Sequence, residues 1–289
     1  MSQNLEDISK DPRVLDIINS ALKEDVGDGD HSSLSCIDAS TISEAKLIFK
    51  DAGIAAGLEI AYTILRLNDP DVQIQSYVKD GDTVKHGDIG FVVKGKAHGL
   101  LKSERLLLNL MQRLSGIATT TRKAVDKIQA YHTTVLDTRK TTPNLRVLEK
   151  WAVKAGGGAN HRFGLYDMIM LKDNHVDVSG GISNAISKAK AYLSERGLNL
   201  GIEVETRSLA EVSEVLNNLP VQRIMLDNFS PELTAEAVKL INGRSETEAS
   251  GGITLDNIEA YAAAGVDFIS LGMLTHSVKS LDISFKIII

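Results

Sequence analysis

After residue 130 the chain alternates short apolar runs with helical segments, and it does so six times. VLDTR precedes a helix at 144–155, MIMLK one at 182–196, LGIEVET one at 208–218, RIMLD one at 231–242 and TEAS one at 254–264, and FISLG closes the series. Nearly continuous apolar runs suit strands buried on both faces, and strand–helix repetition implies a parallel sheet. Near-regular repetition favours a barrel. Six units fall short of the eight that a closed barrel needs, so the expectation is a smaller, incomplete or open one.

The first part of the chain follows a different pattern. Residues 5–25 have helical spacing through Val14, Leu15, Ile17, Ile18 and Leu22. The segment from Glu24 to Ser32 is acidic and glycine-rich but lacks the spacing of a calcium loop. It reads as a solvated turn with helix-capping aspartates. Residues 41–100 are strand-rich, interrupted by a helix near Gly57–Leu67, as in an α+β domain. Ser103–Ile128 is helical, and Ser115-Gly116 is expected to break it in two. On periodicity alone, Arg105 and Arg113 on that helix read as surface residues. The expected organisation is an N-terminal α/β domain at 1–115, a βα-barrel domain at 116–273, and a C-terminal segment, 274–289, packing back on the first domain.

Composition narrows the function. A net charge of −6 and 4% aromatic residues argue against nucleic-acid binding. No run is long and apolar enough to span a bilayer, so no membrane partner is expected. The N-terminal stretch is polar, without a signal-peptide core. A single cysteine, Cys36, excludes an intramolecular disulfide and fits a reducing, cytoplasmic setting.

In βα barrels chemistry gathers where the strands end, and here almost every expected strand ends in a functional group. Arg139 and Lys140 follow the first, and His161 and Arg162 follow a helix and the glycine run 156–158. Lys172 follows the second strand. Converging arginines and lysines imply a substrate with two or more anionic groups. Glu203 and Glu205 share one side of a strand, and Glu205 is preferred for the site because it lies nearer the C-terminal end. Asp227 ends the next strand. Two carboxylates in a cationic site hold Mg²⁺ against phosphate oxygens or bond sugar hydroxyls. Ser250-Gly251-Gly252 and Ser270-Leu271-Gly272-Met273 read as phosphate turns, the first running into a helix N-terminus. Val178–Ser183 resembles them but reads as a helix start. No nucleophile elbow, Walker lysine or zinc motif is present. Transfer of a phosphoribosyl group, which needs no protein nucleophile, fits such a site.

At LNLMQRLSGIAT, DTRKTTPNLRVLEKWAV, GGGANHRFGLYDMIMLKDNH, IEVET, IMLDN and EASGGI the sequence resembles the quinolinate phosphoribosyltransferases. The resemblance covers nearly the whole chain. It implies an N-terminal α/β sandwich followed by an open, seven-stranded βα barrel. It also implies condensation of quinolinate with 5-phosphoribosyl 1-diphosphate to nicotinate mononucleotide, CO₂ and diphosphate, with Mg²⁺. By match to the family's motifs, Thr138, Arg139, Lys140, His161, Arg162 and Lys172 would meet quinolinate. Lys140, Glu205 and Asp227 would lie at the ribose and Mg²⁺-diphosphate. Ser250, Gly251, Gly252, Leu271, Gly272 and Met273 would hold the 5′-phosphate. Arg105 matches an arginine lent to a neighbouring subunit's site, which implies a homodimer and replaces the surface reading. Asn144 stands where glycine is common, Trp151 where tyrosine is common, and His31-Ser32 where an aliphatic residue and threonine are usual. The alternatives are a nicotinate-using enzyme of similar fold and a non-catalytic paralogue.

Overall fold

The computed structural model describes residues 5–288. A short turn at Ile8–Lys10 leads into α1 (Pro12–Val26), whose first turn holds Pro12 and whose N-terminus is capped by Asp11. α2 (His31–Cys36) is capped by Asp30 through the Ser33 N–H. An aspartate of the acidic turn thus serves as a helix cap. Among the described residues, the acids of that turn do not bring three ligating groups together.

The strand-rich stretch comprises β1 (Ile42–Phe49), β2 (Gly53–Ile54), α3 (Leu58–Asn68), β3 (Gln73–Ser76), β4 (Thr83–Val84) and β5 (Ile89–Lys96). α4 (Ala97–Lys127) then runs unbroken for 31 residues. The break expected at Ser115-Gly116 does not occur. Packing, rather than helix termination, selects these two residues. The Ser115 hydroxyl is buried and accepts the Ala56 N–H at 3.0 Å. A side chain at Gly116 would collide with the Lys279 carbonyl.

The rest follows as β6 (Thr134–Leu136), α5 (Arg146–Ala155), β7 (Ile169–Leu171), α6 (Asp173–Ser179) and α7 (Ile182–Arg196). Next come β8 (Ile202–Thr206), α8 (Leu209–Leu216), β9 (Arg223–Asp227) and α9 (Pro231–Ile241). The chain finishes with β10 (Glu246–Ser250), α10 (Ile258–Ala263), β11 (Phe268–Ser270), α11 (Met273–His276) and β12 (Ile283–Ile288). α6 was not foreseen. As expected, Gly180-Gly181 starts a helix, α7; it also ends α6, with Gly180 left-handed at the C-cap.

By internal contacts the chain forms two compact units. The first holds the residues up to Arg122 together with Thr141–Gly157 and the segment from Leu274 onward. Its main sheet is antiparallel, in the order β12-β1-β5-β3, and β12 pairs with β1 from Ile283↔Phe49 to Ile288↔Glu44. Phe91 is fully buried in its core, edge-on to Tyr62 of α3 at 5.3 Å and tilted against Phe285 of β12 at 6.3 Å.

The departures from the family pattern acquire physical reasons here. Asn144 has φ of +67°, a left-handed conformation that asparagine tolerates better than most residues with a side chain. Trp151 is buried and donates its indole N–H to the Glu6 carbonyl at 2.8 Å.

Arg113 is not the surface residue that periodicity suggests. It donates Nε and Nη2 to Glu149 Oε1 at 2.9 and 2.6 Å, and the Glu149 side chain is fully buried. Arg113→Ala would strand that carboxylate. The expected loss is about 3 kcal/mol of stability, measurable by urea unfolding. A loss below about 0.5 kcal/mol, the range of ordinary surface substitutions, would refute the pairing.

The second unit, Lys123–Lys140 with Gly158–Met273, is built on the parallel sheet. Its strand order is β6-β11-β10-β9-β8-β7, and the barrel is not closed. The six strands match the six repeats of the sequence. The seventh that the resemblance implies is reduced to a single parallel bridge between Ala159 and Leu136, beside β6. The preceding glycines have no side chains with which to extend a buried strand.

Candidate active site

A cavity of about 490 Å³ opens where the strands of the parallel sheet end. It is lined by Thr138, Arg139 and Lys140 after β6, His161 and Arg162 after the Ala159 bridge, and Lys172 after β7. Glu205 of β8, Asp227 and Asn228 at the end of β9, Ser250–Gly252 at the end of β10, and Ser270 complete most of the wall, with Glu248 and two methionines deeper. Eleven of the fifteen residues expected at the site therefore share one cavity. Arg105 is exposed on α4, in the first unit. Leu271, Gly272 and Met273 are not among the lining residues. Leu271 is buried, its N–H donating to the Leu136 carbonyl at 2.9 Å, and β11 instead contributes Ser270.

The cationic wall sets two guanidiniums against each other. Arg162 is half-buried; burial, and then the charge of Arg139, hold its guanidinium below the usual arginine range. Arg139 Nε is buried and has no hydrogen-bond partner among the described residues. Arg162 is held from behind, its Nη1 donating to the Met168 carbonyl at 3.2 Å. Two guanidiniums close enough to repel, one with an unmet donor, define a site for a polyanion.

His161 is tied into the protein. Its peptide N–H donates to buried Asp137 at 2.9 Å, and its Nδ1 accepts the Arg162 N–H at 2.7 Å. Its Nε2 lies 3.0 Å from Glu203 and 3.4 Å from Glu248. Burial opposes a charge on the ring, while contact with Glu203 and Glu248 raises it to about 9. The Arg162 N–H bond, however, requires a lone pair at Nδ1. That bond fixes the single ring proton on Nε2. Burial and then the charge of Glu248 also raise the Glu203 carboxyl above its ordinary range.

Across the cavity the charge reverses. Lys172 Nζ donates to Glu205 Oε2 at 2.6 Å. Asp227 is half-buried, and burial, followed by the charge of Glu205, raises its carboxyl above the ordinary range. Asn228 Nδ2 donates to Asp227 Oδ2 at 2.6 Å and partly relieves this. The donors are hard oxygens whose mutual repulsion a divalent cation would remove, so the pair fits Mg²⁺.

Gly251 and Gly252 have φ of +87° and +63°, which leaves the peptide groups after Ser250 lining the cavity without side chains. The cradle differs from the expected one, because α10 begins only at Ile258. The turn is instead braced by Asn257, which accepts the Thr254 N–H at 2.7 Å and donates to the Gly252 carbonyl at 3.1 Å. Asn228 follows directly on Asp227 at the end of β9. Its left-handed φ of +58° marks it as part of the turn's framework, and its N–H donates to the Ser250 carbonyl at 2.8 Å.

Comparison with known proteins decides the family. The quinolinate phosphoribosyl transferase N-terminal domain model matches residues 30–115, and the C-terminal domain model matches 117–286. The chain belongs to the quinolinate phosphoribosyltransferase family. It is 47% identical over 286 residues to quinolinate phosphoribosyltransferase [decarboxylating] 1b of Nicotiana tabacum, covering 94% of this chain and 81% of that protein. It is 46% identical over 286 residues to the chloroplastic nicotinate-nucleotide pyrophosphorylase [carboxylating] of Arabidopsis thaliana, with 94% and 82% covered. The crystal structure of NadC from Streptococcus pyogenes superposes with a TM-score of 0.92 at 41% identity, covering 99% of this chain and 98% of that one. A human nicotinic acid phosphoribosyltransferase, at 12% identity and a TM-score of 0.63, shares the fold alone.

Proposed function

We propose that the chain transfers the phosphoribosyl group of 5-phosphoribosyl 1-diphosphate to quinolinate with loss of CO₂, giving nicotinate mononucleotide and diphosphate. Its relatives carry the names of this activity. The observation that carries the reading to this site is the Arg139–Arg162 pair, mutually repelling and with the buried Arg139 Nε unbonded among the described residues. A pyridine with two carboxylates meets that need, and a monocarboxylate such as nicotinate meets it only in part.

Arg139, Arg162 and Lys172 bind the two ring carboxylates, with Thr138 beside them. Lys140 stands between the acid and the sugar, and Glu205 and Asp227 face the ribose. The glycine turn at 250–252 takes the 5′-phosphate on backbone N–H groups. The pyridine nitrogen attacks C1 of the ribose as diphosphate departs. The nitrogen, now positively charged, stabilises the electron pair left on the ring carbon when CO₂ leaves, and a proton from solvent then adds to that carbon to give the C–H bond of the product. Fixed cations around that carbon contribute electrostatically. Glu205 and Asp227 would hold Mg²⁺, which neutralises diphosphate oxygens when bound.

We also propose a homodimer, with Arg105 completing a second subunit's site. Arg105 is exposed, as such a role requires, and the second unit presents Leu165, Tyr166 and Val178 to solvent at 72, 68 and 91% exposure. No described helix is long and apolar enough to cross a membrane. The single cysteine, Cys36, is free and exposed, as suits a reducing compartment such as the cytoplasm, where we place the chain with its small-molecule substrates.

The test supplies the purified protein with 5-phosphoribosyl 1-diphosphate and either acid. With quinolinate, diphosphate and CO₂ should appear in equal amounts. Faster diphosphate release with nicotinate would overturn the reading in favour of the monocarboxylate enzyme. Chelation should stop turnover and added Mg²⁺ should restore it. Because Asp227 is held above its ordinary range, Mg²⁺ affinity should begin to weaken at a higher pH than an ordinary carboxylate would show. Undiminished turnover in chelator would remove the metal from the scheme.

A further inference from the structure

Four ionisable side chains, Arg223, Glu248, Glu203 and His161, are packed through the interior of the second unit, and the proposed reaction gives none of them a substrate to touch. Arg223 opens β9, at the end of the strand away from Asp227. Its Nη1 lies 2.8 Å from Glu248 Oε2, and its guanidinium stacks 3.9 Å from the centre of the Phe268 ring. The same Glu248 oxygen lies 3.4 Å from His161 Nε2, and Glu203 Oε2 lies 3.0 Å from it. Glu203 and Glu248 are fully buried. The chain of contacts ends where His161 Nδ1 accepts the Arg162 peptide N–H. It therefore connects the closed end of the strands to the cationic wall of the cavity.

Buried carboxylates cost stability, and apolar residues of similar size would fill the same space more favourably. A structural role alone leaves this composition unexplained. Both nitrogens of His161 have protein partners, so the ring acts on the cavity through what it holds. What it holds is the backbone of Arg162.

We propose that Glu203, Glu248 and Arg223 are positioning residues for the dicarboxylate half of the site, fixing the His161 ring and, through it, the Arg162 peptide. The inference rests on the function proposed above. Outer partners of this kind change affinity for the group that their inner residue serves and leave distant subsites alone.

The experiment uses the full chain and steady-state kinetics in both substrates. Glu203→Gln keeps size and removes charge. Quinolinate KM should rise about 10- to 100-fold, with KM for 5-phosphoribosyl 1-diphosphate within about twofold of the parent. His161→Ala should raise quinolinate KM similarly, and the double variant should be no worse than His161→Ala alone. An unchanged quinolinate KM in Glu203→Gln, or additive losses in the double variant, would overturn the proposal. If Glu203→Gln does not fold, the paired Arg223→Met/Glu248→Met variant carries the same test without an unpaired Arg223–Glu248 charge. Loss of folding in both would show a structural role and count against positioning. A parent protein that does not consume quinolinate at all removes the functional reading, and with it the premise. Turnover by the parent with unaltered KM in the variants removes only this inference.

Discussion

Arg139→Ala should lower kcat/KM for quinolinate about a thousandfold, equivalent to roughly 4 kcal/mol of lost binding to the transition state. The fold should be untouched. Arg139 Nε makes no hydrogen bond among the described residues, and its charge opposes that of Arg162. Removing it takes away a repulsion in the free protein, so the melting temperature should hold or rise slightly. A loss of activity caused by unfolding would move both quantities together. The combination expected here, a large kinetic loss without thermal loss, separates a binding residue from a structural one. Near-parent kcat/KM in a folded variant would remove Arg139 from the acid's site.

Gly251→Val should cut turnover on the other side of the cavity by about a hundredfold, the scale set by an ångström of misplacement. The φ of +87° is strained for any residue with a side chain, and most of all for a β-branched one. The new Cβ would also collide with the Asn228 side chain and lie 2.9 Å from the Asn228 peptide nitrogen. Asn228 bonds both Asp227 and the Ser250 carbonyl, so one intrusion would disturb the carboxylate and the phosphate turn at once. KM for 5-phosphoribosyl 1-diphosphate should rise while affinity for quinolinate, measured by equilibrium binding, changes little. If quinolinate affinity fell equally, the turn could not be a separate phosphate subsite.

Much of this site could be read from sequence because strand ends carry it. A parallel strand buried on both faces is apolar until it leaves the sheet, so Asp227 or Lys172 stands out against its own strand. The six repeats likewise fixed the strand count. What sequence obscured was tertiary. Ser115-Gly116 has the composition of a helix break but serves close packing within α4. Arg113 has the spacing of a surface residue, and only the fold brings Glu149 to it. Leu271, inside the second expected phosphate turn, has its own N–H committed to the Leu136 carbonyl and its side chain buried, which the pattern of the segment does not reveal. Strand position favours Glu205 over Glu203 for the cavity, and the fold indeed buries Glu203 beside His161. Its partner Glu248 gave no such signal, because EAS is too short a run to reveal which face is buried.

The order β6-β11-β10-β9-β8-β7 places the cationic segments at the two rims of the open sheet and the acids and glycines on the strands between them. Each rim strand has one neighbouring strand, β6 adding only the bridge to Ala159, and their loops can be rebuilt with little effect on inner pairing. Acceptor choice and donor handling are thus separable parts. Grafting the segments after β6 and β7 from an enzyme that uses another aromatic acid should redirect the acceptor while the sugar-phosphate half keeps working. Changes to the inner strands would have to satisfy two neighbours each.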